Sequence, residues 1–142
     1  VPPLPEGFGP VRVCGSGLVA IGGPKHHGER NQPDPQMEAL AQALAQWPGR
    51  EAFPLAIVAD DADFCAANLD NFLWVAFTRS DPATDVYGAQ AATRARHWSC
   101  EAPLVIDARL KPFHAPPLEE EPAVIRKVEA LAAPGGPLHN YL

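Results

Sequence analysis

This chain of 142 residues has no excess of positive charge, no long apolar run and no cysteine framework. Each shortage removes a class of function. A net charge of −6 leaves nothing to offset phosphate repulsion, so neither a nucleic-acid surface nor an anionic membrane surface is expected. No stretch approaches the roughly 18–20 apolar residues that a membrane span needs. The opening Val1-Pro2-Pro3-Leu4-Pro5-Glu6-Gly7 has neither the basic region nor the apolar core of a secretory signal. Cys14, Cys65 and Cys100 are far apart and contain no CxxC pair, which fits reduced thiols and a cytoplasmic protein. The chain does not begin with Met, as a processed protein or a piece of a longer one would not.

Recognisable chemical motifs are also scarce. Gly15-Ser16-Gly17 and Gly22-Gly23 match neither a Walker loop nor a dinucleotide fingerprint, and hairpin turns explain them better. The possible metal ligands Cys14, His26, His27, Cys65, His97, Cys100, His114 and His139 lack the paired spacings of a zinc site. Only His97 and Cys100 are usefully spaced, so no metal is expected. Asp60, Asp61 and Asp63 follow an apolar run, where α/β folds place ligand chemistry, but helix capping, with Asp63 as the N-cap, is the simpler reading.

What is present is an ordinary globular composition, 46% apolar and 20% charged, sufficient for one domain. The 17 prolines punctuate it. Residues 1–10 read as a Pro-rich arm. Strands are expected at Val11–Val13 and Gly17–Ile21, and a buried strand at Phe53–Ala59. Asp34 and Pro35 open a helix with the stripe Met37, Leu40, Leu44, Trp47, which Pro48-Gly49 stops. Residues 63–75 read as mostly helical, with 75–78 turning extended. Leu104–Ile106 reads as a short buried strand ending at Asp107, followed by the basic pair Arg109 and Lys111. Pro122 opens a last helix with the stripe Val124, Ile125, Val128, Leu131, and the acidic Glu119-Glu120-Glu121 reads as its solvated lead-in. The fold class is therefore α/β, bordering on α+β: a small mixed sheet with packed helices over 11–115, then a linker, helical arm and tail over 116–142.

The most informative stretch is Leu69–Asp85. Its apolar cluster (Leu69, Phe72, Leu73, Trp74, Val75, Phe77) runs into Thr78-Arg79-Ser80-Asp81-Pro82, with Asp85 beyond. An Arg bracketed by acids at the end of a core segment reads as a structural ion pair of Arg79 with Asp81 and Asp85. Arg94, Arg96, His97 and Trp98 form a basic-aromatic loop able to face a planar anion, and so are candidates for a substrate cleft.

The stretch Thr78–Asp85 resembles the Thr-Arg-x-Asp-Pro segment of the UbiD-type decarboxylases. Three more segments resemble that family's C-terminal domain in the same order: Val19–Lys25, Leu55–Asp61 and Leu104-Val105-Ile106-Asp107-Ala108. The resemblance implies a UbiD C-terminal-like domain of a lyase that decarboxylates, or carboxylates, aromatic or α,β-unsaturated acids with prenylated FMN, manganese and potassium. The family's Glu-Arg-Glu catalytic trio lies in an upstream domain that nothing here resembles. The implied role is thus a C-terminal domain or small subunit. It would supply a wall of the active-site cleft, work with a separate flavin-binding domain or chain, and form homo- or hetero-oligomers through its C-terminal helix. No catalytic residue and no cofactor are expected in this chain alone. A non-catalytic scaffold that kept the fold is the alternative. Lys25 and Arg50 are the nearest cations for a flavin phosphate. The chain departs from the family at Phe53-Pro54, where a Lys is common, and at Ser99-Cys100-Glu101-Ala102, where a Ser-Lys pair is common.

Overall fold

The middle of the sheet is a strand that water cannot reach. In a computed structural model describing residues 1–115 and 121–140, the strand Leu55–Ala59 (β3) is buried from Ala56 onward. Burying side chains such as Ile57 and Val58 stabilises the fold by about 1.5–3 kcal/mol each. Around β3, the five strands run in the order β1-β2-β3-β5-β4. Val11–Gly15 (β1) pairs antiparallel with Leu18–Gly22 (β2), β2 and β3 are parallel, and β3 is parallel to His97–Asp107 (β5). Val86–Arg94 (β4) closes the other edge, antiparallel to β5. A parallel centre between antiparallel edges makes this an α/β fold with a mixed sheet, as expected from the alternation of elements.

The sheet is covered on both faces. The helix Pro35–Ala45 (α1) lays Met37, Leu40, Ala41 and Leu44 against Val19, Ile21, Val58 and Val105. The helices Ala62–Ala67 (α2) and Leu69–Thr78 (α3) lay Cys65, Phe72, Val75 and Ala76 against Ala20, Ile57 and Ala59. Neighbours such as Val19 and Ala20 serve opposite faces, as the two-residue period of a strand requires. The helix Pro122–Ala132 (α4) follows, and no residue of it is buried.

Caps set the helix starts. The Asp34 carboxylate accepts from the Gln36 N–H at 2.8 Å, and Pro35 occupies the first turn, as read from the sequence. For α2, however, the cap is Asp61, which accepts from Phe64 N–H at 2.9 Å. Asp63 instead lies one residue inside the helix and pairs with the exposed Arg12 at 2.6 Å. Residues 75–78 are helical rather than extended, because the Val75 carbonyl still accepts from Arg79 N–H.

The larger correction is the β4–β5 hairpin. Residues 94–98, expected as a loop, are the paired strand ends Arg94, His97 and Trp98 around a two-residue turn, with Ala95 and Arg96 at φ 47° and 70°. Neither residue is the Gly or Asn that ordinarily marks such a turn. Pro103 hides the length of β5: pairing with β3 begins only at Leu104, so the Pro sits where β5 still needs just one neighbour. Gly88 permits the pairing, since a Cβ there would run into the Cys100 side chain. The segment 1–10, read as a Pro-rich arm, touches the sheet. Gly9 N–H donates to Gly22 O at 2.7 Å, and Leu4 and Phe8 pack on the α1-side core. Glu119 and Glu120 of the acidic run, and Pro116 and Pro117 of the linker, lie outside the described residues.

Candidate functional site

The parallel strands β2, β3 and β5 end on the same side of the sheet, at Gly22, Ala59 and Asp107. Open α/β sheets bind ligands at this end. Here it carries a buried charge network. Asp107 and Arg109 are both 0% exposed. The Arg109 guanidinium grips the Asp107 carboxylate with two hydrogen bonds, Nε to Oδ1 at 2.9 Å and Nη2 to Oδ2 at 2.8 Å. The same Nη2 donates to Asp34 Oδ2 at 2.6 Å, and Nη1 donates to Pro24 O at 3.1 Å. One guanidinium therefore ties together the end of β5, the start of α1 and the loop after β2. Gly23 makes room for it: a Cβ there would come within 2.8 Å of Arg109 Cδ.

Lys111 forms the second half. Its Nζ donates to Asp107 O at 2.8 Å and Arg79 O at 3.2 Å, and it lies 3.2 Å from Asp85 Oδ2. Burial alone would raise the Asp107 carboxyl, but the Arg109 hydrogen bonds and the charges of Lys111 and Arg109 outweigh it and hold the group below the usual carboxylate range. The network is thus a set of compensated charges, each satisfied by another.

Arg79 has a different partner from the one expected. Its Nη1 reaches Asp60 Oδ2 at 3.2 Å, and its guanidinium lies over the Trp74 ring, 5.2 Å from the centroid. Asp85 instead accepts from Asp81 N–H at 2.7 Å and takes Lys111 as its cation, while Asp81 accepts from Ala83 N–H at 2.9 Å. The helix running through Thr78 carries Arg79 back toward the end of β3, where Asp60 also accepts from Leu110 N–H at 2.8 Å.

Beside the network is a small cleft of about 130 Å³ lined by His26, Arg30, Ser80, Asp85, Lys111 and Phe113, among others. His26 is 4% exposed, and its Nδ1 has no hydrogen-bond partner. Burial pushes its pKa down, Arg109 and Lys111 act in the same direction, and Asp107 and Asp34 offset them only in part. His114, also on the cleft, is lowered as well, first by burial and then by Lys111. A histidine whose folded pKa lies below the ordinary 6.5 contributes its full stability above that pH and loses it as the pH falls. The urea midpoint of the wild-type protein should therefore drop between pH 7 and pH 5. His26→Gln should show a visibly smaller drop, since His114 still titrates. An unchanged pH profile in the variant would show that His26 does not carry charge-sensitive stability.

Oxygen or nitrogen atoms of His26, Asp34 and Asp107 lie within 4.8 Å of one another, a donor set that a divalent cation could use. The Arg109 guanidinium already stands on both carboxylates, so a metal would have to displace a buried, multiply bonded cation. These residues do not fit a metal centre in this arrangement. The two flavin-phosphate candidates differ in their surroundings. Lys25 is exposed, and the Arg50 guanidinium is engaged by Ala45 O at the end of α1. Of the four substrate-cleft candidates, Trp98 lines a groove of about 780 Å³ between α1 and β4. Arg94, Arg96 and His97 stand exposed at the hairpin turn and line neither cavity. The Cys65 thiol, pushed up to about 11 mainly by burial, stays protonated at neutral pH.

Sequence reading placed Arg109 and Lys111 only as a basic spot and missed the network. The available signal was the spacing Asp107-x-Arg109-x-Lys111, an acid and two cations at alternate positions beyond an apolar strand. No helix is long and apolar enough to cross a membrane among the described residues.

No family model matches the chain. Among curated proteins, it is 31% identical over 87 residues to a 4-hydroxybenzoate decarboxylase subunit of Chlamydia pneumoniae, covering 61% of this chain and 15% of that protein. It is 30% identical over 81 residues to an uncharacterized protein of Chlamydia trachomatis serovar D, covering 57% of this chain and 14% of that one. Among solved structures, the vanillic acid decarboxylase of Sedimentibacter hydroxybenzoicus in its open form is 20% identical, with a TM-score of 0.47, over 81% of this chain and 26% of that one. The chain thus spans about 15% of the length of the curated relatives it matches. Over that span it is similar to a decarboxylase subunit, in agreement with the likeness to the C-terminal domain of UbiD-type decarboxylases read from its own residues.

Proposed function

We propose that this chain is the C-terminal domain or small subunit of a UbiD-like carboxy-lyase acting on aromatic or α,β-unsaturated carboxylic acids, with a separate domain or chain that holds the flavin. The observation that carries the reading is the match to a subunit of a 4-hydroxybenzoate decarboxylase. The four segments with a family likeness contribute the ends of β2, β3, α3 and β5, which are held together by Asp107, Arg109, Lys111 and Asp60. Electrons left by decarboxylation need a sink, and in the resembled family that sink is prenylated FMN, used together with manganese and potassium. In this reading the flavin and both metals belong to the partner, as the upstream domain holds most cofactor contacts in the resembled family. The chain's own part is to present a rigid wall to that partner, with α4 as an oligomer contact.

A rigid, pre-formed surface should bind its partner without refolding. Mixed with a flavin-bearing UbiD-like chain from the same genome, this chain should co-elute with it in gel filtration at micromolar concentration. Separate elution at all ratios tested would count against a subunit role.

A further inference from the structure

The outer half of the β4–β5 hairpin is a two-stranded ribbon. Every residue from Gln90 to Ser99 is exposed, and the pairing there is between β4 and β5 alone: Ala92 with Ser99, Thr93 with Trp98, Arg94 with His97. The next strand, β3, joins β5 only from Leu104 onward. A two-stranded ribbon by itself is marginally stable in water. This one also holds three of the four non-glycine residues with positive φ among the described residues: Gln90 at 53°, Ala95 at 47° and Arg96 at 70°. Such conformations persist where surrounding contacts over-determine them, and a ribbon in solvent supplies few.

The charge of the ribbon is as unusual as its exposure. The chain has 17 Asp and Glu against 11 Lys and Arg, yet no acid lies between Asp85 and Glu101. Arg94, Arg96 and His97 stand together at the tip, with Trp98 next to them. Among the described residues, neither Arg has a carboxylate at ion-pair distance, whereas Arg12, Arg79, Arg109 and Lys111 each have one. Trp98 is 42% exposed and lines the groove of about 780 Å³ between α1 and β4. An aromatic anchor beside unpaired arginines is the composition of an interface centre rather than of ordinary surface.

We infer that this ribbon is the arm by which the chain grips its flavin-bearing partner, with the basic tip on an acidic patch of that partner and Trp98 packed against it. The inference rests on the subunit reading and adds to it the surface and its charge. Two observations choose the occupant. Charge is the first: a basic tip on an acidic chain calls for an acidic receptor, and long-range attraction then steers the encounter. Symmetry is the second. A second copy meeting the ribbon through its own ribbon, as a two-fold contact on the same patch requires, would set the arginines of both copies against one another. The groove beside Trp98 gives the partner's side chains room without moving the sheet.

The test is the binding of the flavin-bearing UbiD-like chain from the same genome, followed by surface plasmon resonance at neutral pH. Arg94→Glu with Arg96→Glu should weaken binding about tenfold, mainly by slowing association. Added salt should weaken the wild-type complex steeply and that of the charge-reversed variant much less. Arg94→Lys with Arg96→Lys should keep most of the affinity, because the tip acts through its charge. Trp98→Ala should weaken binding about tenfold through faster dissociation. Circular dichroism should be unchanged in every variant, since all three side chains are exposed. A charge-reversed chain that binds the partner as tightly as the wild type would overturn the inference and leave the subunit reading standing. A wild-type chain that binds no flavin-bearing partner would overturn both. If charge reversal changes the mass of the chain alone in light scattering and leaves partner binding intact, the ribbon meets a second copy and the assigned occupant is wrong.

Discussion

Arg109→Met should lower stability by about 3–5 kcal/mol, the cost of leaving a buried charge uncompensated. In a chain of this length the melting temperature would fall by roughly 10–15 °C. Methionine fills much of the same volume, so the loss would be electrostatic rather than a cavity. Asp107, fully buried, would lose its two side-chain hydrogen bonds and keep the more distant Lys111 at 3.8 Å. Asp34 would lose its 2.6 Å partner while still capping α1. Arg109→Lys should rescue little, because an ammonium cannot supply the fork that spans Asp107 and Asp34 together. By contrast, Arg109→Met combined with Asp107→Leu should cost less than Arg109→Met alone, since it removes the stranded carboxylate along with its partner. Denaturation of the three variants in urea at pH 7 provides the comparison. An Arg109→Met protein within about 1 kcal/mol of the wild type would mean the guanidinium is not what joins the strand ends.

The same network implies a pH dependence with a definite sign. The folded-state pKa of Asp107 lies below its ordinary 3.8, so the stability it contributes is complete above that value and is lost as the pH falls through the folded value. His26 and His114 start losing theirs earlier, below about pH 6.5. Acid should therefore destabilise the fold in two stages, histidines first.

The parts of this fold that could be read from the sequence were those set by local chemistry. Asp34-Pro35 and the stripe through Leu44 fixed α1, and the unbroken apolar run before Asp60 fixed β3. The hairpin could not be read in the same way. Its turn residues, Ala95 and Arg96, hold left-handed conformations that only the pairing of β4 with β5 enforces, and Pro103 looks like a strand breaker unless the strand order is known. The charge network failed for a related reason. Asp34, Asp85 and Arg109 are brought together from positions dozens of residues apart, and spacing along the chain cannot show which acid a given cation will meet. Arg79 illustrates this. Its neighbours Asp81 and Asp85 were the obvious partners, yet the helix geometry delivered it to Asp60 and Trp74.

The central claim is that this chain supplies a wall and a docking surface to a carboxy-lyase whose chemistry is held elsewhere. It is tested most directly by release of carbon dioxide. Among the described residues, the buried charges at the strand ends are satisfied by one another. A carboxylate leaving as carbon dioxide needs somewhere for its electrons to go, and in the resembled family the flavin is that sink. The purified chain, given prenylated FMN, manganese, potassium and a panel of aromatic and α,β-unsaturated acids, should therefore release carbon dioxide no faster than the same mixture without protein. With the flavin-bearing partner chain added, at least one acid should be decarboxylated faster than by the partner alone. Release above background by this chain without a partner, or no effect of the chain on a partner it binds, would contradict the account.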